Sequence, residues 1–282
     1  MNELNRRQMV LGTGGLLVAA GSADAVTTLP NVTGLAGDAS VLINTPEENL
    51  RSLVRMTASL DPVDTPWWYN GTMYAIVGEE QPVPIMKFEG MEIYWMRQIS
   101  ASEYELTGNT VTFFRDIETN EFLETWSNPY TGKMLEVEDA VQGGGKGRGF
   151  SYATNGIRPM AFKDKIEASP LQLEWSFARD TLWMHNQTVY PPGMAPPRAQ
   201  RQTMFAPIND FLNDSVRSLP SIFSSTVFMP WLKWMDMGDQ PGHVVWHASG
   251  AKLKSIDDLP PEYRARAEAE YPARMTANPD KQ

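Results

Sequence analysis

The chain has 282 residues, with 24 Lys+Arg against 34 Asp+Glu and three His, a net charge of −10 at pH 7. An acidic chain without a basic run is a poor match for nucleic acid or anionic lipid. Cysteine is absent, which excludes disulfides, zinc–thiolate sites, iron–sulfur clusters and thiol nucleophiles together. Hydrophobic residues at 42% and charged residues at 21% are enough to bury the core of one large domain.

Residues 1–25 read as a twin-arginine export signal. Arg6-Arg7 precede an apolar stretch from Met9 to Gly21, and Ala23-Asp24-Ala25 fits a small-residue cleavage site. The stretch is too short to span a bilayer. The reading predicts a periplasmic protein beginning near Val26, with no stable membrane insertion once the signal is removed. Residues 26–44 read as a linker or arm, 45–272 as a single domain, and 273–282 as a frayed tail.

Thr45-Pro46-Glu47-Glu48 carries a capping box with proline at the first helical position, followed by Leu50, Leu53, Val54 and Leu60 at helical spacing. From Trp67 the pattern turns to β. Strands are expected over 67–77, 85–88, 91–99, 111–114, 122–126 and 134–137, with Glu118-Thr119-Asn120 as a hairpin loop and Asn128-Pro129-Tyr130-Thr131-Gly132 as a second turn. Short turns between strands, without crossover helices, predict an antiparallel sheet. Residues 142–149, QGGGKGRG, are a loop or a mobile lid. They are no phosphate loop, because Lys146 is followed by Gly147 rather than Ser or Thr.

Leu171 to Tyr190 is the longest β-like run. At period two, Leu171, Leu173, Trp175, Phe177, Arg179, Trp183, His185 and Val189 share one face, unless Arg179-Asp180 is a hairpin tip that splits the run. Residues 191–202 read as a proline-rich loop, 208–216 as a short helix and 243–248 as a last strand. A closing helix starts at Ser255 and is ended by Pro272.

Several stretches resemble the family called domain of unknown function 1838. They are Tyr69-Asn70-Gly71-Thr72-Met73-Tyr74, Phe88-Glu89-Gly90-Met91, Glu124-Thr125-Trp126-Ser127-Asn128-Pro129-Tyr130-Thr131-Gly132, Pro230-Trp231 with Met237-Gly238-Asp239-Gln240-Pro241-Gly242, and Leu259-Pro260-Pro261 with Tyr271-Pro272. The W-x-N-P-x-T-G piece is the most specific. The resemblance implies a single β-rich domain and transfers no catalytic residues.

Metal chemistry finds little support. His243 and His247 are four apart on a strand-like segment, about 13 Å from one another, too far to ligate one ion. The sequence lacks G-x-S-x-G and nucleotide-binding glycine motifs. Aromatics and methionines carry the strongest compositional signal, with nine Trp, eleven Phe, nine Tyr and sixteen Met. Filling a core is their plainest use. A barrel is also wide enough for one small guest. Trp68, Trp126, Trp175 and Trp183 are then the candidate walls. His185 is the candidate acid or base. Arg97, expected beside Met91, Ile93 and Trp95 and facing Glu92, Asp116 or a ligand anion, would hold a charged oxygen together with Tyr74.

The expectation is a mainly β protein, an antiparallel β-barrel of calycin, lipocalin or dirigent-like shape with flanking short helices. Its expected work is acid/base lyase or isomerase chemistry on a small aromatic or apolar molecule, such as a lignin-derived dimer, without metal or cofactor. The alternative is a non-catalytic periplasmic binding protein for the same class of ligand. A homo-oligomer is compatible with both.

Overall fold

The computed structural model describes residues 36–38, 43, 45–143, 149–160, 168, 171, 173–189 and 199–281. The segment read as an export signal, most of the segment read as an arm, and residues 144–148 and 190–198, on which the lid and proline-rich-loop readings fall, lie outside the described residues. Residues 32–282 form one compact unit. No helix among the described residues is long and apolar enough to cross a membrane.

The unit is mainly β, an antiparallel sheet curled into a half-barrel with a few short helices. In chain order its elements are β1 (Ala36–Asp38), α1 (Pro46–Thr57), β2 (Thr65–Val77), β3 (Val83–Ser100), β4 (Glu103–Arg115), β5 (Thr125–Ser127), β6 (Met134–Glu136) and β7 (Ala140–Gly143). There follow β8 (Phe150–Ala153), β9 (Gly156–Pro159), β10 (Leu173–Ala178), β11 (Thr181–Val189), β12 (Ala199–Pro207), α2 (Ile208–Leu212), β13 (Ile222–Met229), β14 (Gly242–Lys252) and α3 (Pro261–Glu270). The main sheet runs β1-β10-β11-β12-β13-β14-β2-β3-β4-β8-β9, with β7 also on β4, and β5-β6 is a separate hairpin. Among the described residues the edge strands β1 and β9 do not pair with one another, so the curl stays open where a closed barrel was expected.

Alternation assigns the two faces. Trp67, Tyr69 and Met73 of β2, Phe88 of β3 and Phe114 of β4 point into the curl with Trp175, Met184, Met204 and Phe223. Helix α1 closes this side with Leu50, Leu53, Val54 and Met56. The capping box forms as read, with Glu48 N donating to Thr45 Oγ1 and Thr45 N to Glu48 Oε2, both at 3.1 Å. At the other end of the helix, the Lys252 ammonium donates to the carbonyls of Arg55 (2.8 Å) and Ala58 (2.9 Å), a cation on the C-terminal carbonyls.

The outer face of β2–β4 is covered by α3. Met91, Ile93, Trp95, Val111 and Phe113 pack there against Leu259 and Tyr263. The Tyr263 hydroxyl accepts from Met91 N at 2.9 Å and donates to Val111 O at 2.7 Å.

Four readings are corrected. Glu89-Gly90 does not interrupt a strand; β3 is continuous from Val83 to Ser100, because Glu89 is paired internally and Gly90 lies beneath a neighbouring ring. Arg179-Asp180 is the hairpin tip, with Arg179 at φ 57° and Ala178 opposite Thr181, so Trp175 faces the curl with Met184 while Trp183 and His185 point the other way. The closing helix starts at Pro261, and Ser255 caps a separate 3-10 turn. The C-terminal tail is docked rather than frayed: the Asp64 carboxylate accepts from Thr276 Oγ1 (2.6 Å), Ala277 N (2.9 Å) and Asn278 N (3.1 Å).

Candidate functional site

The concave wall of β2–β4 carries a phenol–carboxylate pair. Glu92 and Tyr94 stand two apart on β3, so both project into the curl, on the same face as Phe88. The Tyr94 hydroxyl donates to Glu92 Oε2. Across the sheet Glu92 lies opposite Trp67 on β2 and Thr110 on β4. One row further on, the hydroxyls of Tyr69 and Thr112 share a hydrogen bond of 2.6 Å.

Two glycines make this wall possible. A Cβ at Gly90 would stand 2.4 Å from Cζ of Tyr69, and one at Gly108 would stand 3.0 Å from Cδ1 of Tyr94. Each tyrosine ring therefore rests over the glycine of the next strand, which fixes both hydroxyls inside the curl.

Burial and then the Glu92 charge push the Tyr94 hydroxyl well above the usual phenol range, and the same two causes raise Tyr69. Both phenols stay protonated, and Tyr94 serves as donor to Glu92. Glu92 is half-buried and remains an acceptor on the same wall.

A groove of about 630 Å³ opens beside the start of α1, lined by Thr45, Asn49, Thr154, Leu171, Leu173 and Trp175. Its size suits a small organic guest. Trp175 is held as a flat wall by its Nε1 donating to Asn49 Oδ1 at 2.7 Å. Leu171 of the groove and Tyr94 pack against the same two buried clusters.

The sequence-derived candidates divide between the two sides of the sheet. Trp175 and Trp126 pack into the concave core, Trp126 edge-on to Trp234 at 5.9 Å. Trp68 lies on the outer side, its Nε1 donating to Glu89 Oε1 at 2.9 Å. Tyr74, Trp183 and His185 also lie on the outer side, and His185 Nδ1 bonds Thr203 Oγ1 at 2.9 Å. Arg97 shares the face of Ile93 and Trp95 as expected, but β3 has run past its cover there. The guanidinium is exposed and pairs with Glu105, not with Glu92 or Asp116. The structure thus does not bring His185, Tyr74 and Arg97 around one hollow. The residues that sequence reasoning passed over are Glu92 and Tyr94. Alternation through Met91, Ile93 and Trp95 already placed them together on the opposite face.

Other buried polar groups are structural. Arg115 donates to Glu89 Oε2 at 2.8 Å, to Asn120 O at 2.8 Å and to Glu262 Oε2 at 3.1 Å, with its guanidinium over the Phe122 ring. Arg55 donates to the carbonyls of Asp210, Phe211, Asn213 and Val216 and so fastens the loop around α2 to α1. Among the described residues no cluster of three His, Asp or Glu is placed to hold a metal ion.

The W-x-N-P-x-T-G segment meets the Pro230–Gly242 segment. Asn128, fully buried, accepts from Tyr130 N (2.8 Å) and Thr131 N (3.2 Å), and Lys133 pairs with Asp236 at 2.6 Å. The family model described as protein of unknown function (DUF1838) matches residues 63–146 and 195–282, which include both segments. No curated protein matches the chain.

Proposed function

Because this chain belongs to the DUF1838 family, whose description assigns no reaction, we propose a function from the concave wall itself: acid/base lyase or isomerase chemistry on a small aromatic or apolar molecule. The observation that carries the reading is the Tyr94 hydroxyl seated on the Glu92 carboxylate. The guest lies in the groove against Trp175 and reaches the wall past Leu171. Glu92 takes a proton from a carbon beside the leaving group. The freed electron pair forms the new double bond, and the bond to the leaving oxygen breaks. Protonation of Glu92 removes the charge that held Tyr94, and the phenol then donates to the departing oxygen. The sequence of steps is redox-neutral. A lignin-derived aromatic dimer is one substrate of this type. Export by the twin-arginine signal and a periplasmic setting complete the proposal.

The test is turnover of a panel of aromatic dimers by wild type, Glu92→Gln, Tyr94→Phe and His185→Gln, with guest binding followed through tryptophan fluorescence. The reading expects Glu92→Gln to lower kcat by about 10²–10⁴ while binding persists, and His185→Gln to leave kcat unchanged. Turnover that survives Glu92→Gln overturns it. A second reading, a non-catalytic binding protein, is favoured by the groove itself, which is lined by Leu171, Leu173 and Trp175 but by neither Glu92 nor Tyr94. Binding without turnover by wild type across the panel selects it.

A further inference from the structure

The outer face of the sheet is covered by α3 only over β2–β4. Over β11–β14 no described element covers it. Its residues fall into four rows by register. The first row aligns Trp183, Phe205 and Ile222. The second aligns His185, Thr203 and Ser224. The third aligns Arg201, Thr226 and His247. The fourth aligns Phe228, Val245 and Tyr74. Two apolar rows thus flank two polar ones. Ile222 is 54% exposed and Phe228 45%, one in each apolar row.

We propose that this face is where a second copy of the chain docks, sheet against sheet about a two-fold axis. The row order reads the same in both directions, apolar, polar, polar, apolar. A two-fold lying in the plane of the face therefore sets apolar rows on apolar rows and hydroxyls on hydroxyls, as an isologous interface requires. Charge points to the same occupant. Two copies at −10 repel, yet the outward positions of the described residues in β11–β14 hold no carboxylate. The charged groups there are Arg201, with Glu174 beside His185 at one border and Lys87 beside Thr72 at the other. This is the part of the surface across which two acidic molecules approach at least cost.

Area sets the strength. Five strands at ~4.8 Å spacing and six residue steps at ~3.3 Å give a patch of about 400 Å² per copy in projection. The two copies together cover about 800 Å², below the ~1,200–2,000 Å² of stable interfaces, so the dimer should be weak and concentration-dependent. All three histidines of the chain, His185, His243 and His247, lie on this face. His185 and His247 each turn Nδ1 to a threonine of the adjacent strand, Thr203 at 2.9 Å and Thr226 at 3.2 Å.

Sedimentation velocity of the full chain from about 1 to about 200 µM tests the proposal, and it stands independently of the concave site. The expected result is a monomer–dimer equilibrium at pH 8 that Phe228→Asp with Ile222→Asp shifts toward monomer by at least about tenfold in Kd. Val83→Asp, at an exposed apolar position off this face, should leave it unchanged. Circular dichroism melts confirm that each variant folds. A monomer at every concentration overturns the proposal, as does a dimer indifferent to the two aspartates.

Discussion

The side-chain amide of Asn128 donates to the backbone carbonyl of Met235 at 2.7 Å, joining residues 107 positions apart in the chain. Its other end accepts two amides of its own turn, so one buried side chain shapes the Pro129–Gly132 loop and fastens it to the 3-10 turn at Lys233–Met235. Tyr130 and Trp231 face one another at 6.4 Å along the same seam. The most family-specific stretch of the sequence is therefore a structural clasp at the end of the half-barrel.

Asn128→Ala orphans two half-buried amides and one buried carbonyl at once. A loss of about 2–4 kcal/mol is expected, read as a lower urea midpoint with unchanged m-value.

Gly90→Ala places a methyl where the Tyr69 ring lies, at 2.4 Å. The ring has nowhere to retreat, because Phe88 and Phe223 flank it at 6.3 Å each. A cost of about 1–3 kcal/mol follows, together with loss of the Tyr69–Thr112 hydrogen bond. Thermal melts and the near-ultraviolet tyrosine signal report the two effects separately.

Arg115→Met leaves Glu89 buried with its carboxylate facing no cation, where it is 8% exposed. Such a break costs about 3–5 kcal/mol. The double variant Arg115→Met with Glu89→Gln should recover most of that, because the amide still accepts from Trp68 Nε1. Equilibrium unfolding of the single and double variants measures the difference.

Burial raises the Asp139 carboxyl above its usual value of 3.8, against the opposing hydrogen bond from Tyr271 and the Arg266 charge. The folded state then holds that proton to higher pH than the unfolded chain. The group's contribution is fully present below pH 3.8 and is lost as pH rises through its raised value. Asp139→Asn keeps an acceptor for Tyr271 and removes the buried charge. Its melting temperature should exceed wild type at pH 7, and the gain should vanish in acid below pH 4.

Much of the architecture was legible because it is local. Thr45, Pro46 and Glu48 announce α1, and the Asn120 and Asn128 turns stand where their residues put them, since caps and tight turns are set by neighbours in sequence. Faces were legible only where the strand was known to be unbroken. A two-residue tip at Arg179-Asp180 exchanges inward and outward positions beyond it, and that exchange moved Trp183 and His185 to the outer side. The Glu92–Tyr94 pair escaped notice because a carboxylate two residues from a tyrosine is ordinary in sequence. What distinguishes it is Gly108 on the next strand, whose alignment with Tyr94 depends on register. Lone histidines drew attention for their chemistry, whereas the fold spends all three on one outer surface.

Strand β2, formed by residues 65–77, is sandwiched between β3 and β14, the latter made by residues 242–252. During synthesis the β2–β3 hairpin emerges well before its other neighbour, with one hydrogen-bonding edge bare until residues 242–252 have been made. Nascent chains stalled before Gly242 carry that bare edge together with Trp67, Tyr69 and Met73, a template for sticking to other chains. A chain that stops before residue 242 therefore keeps this edge open and is expected to aggregate rather than work.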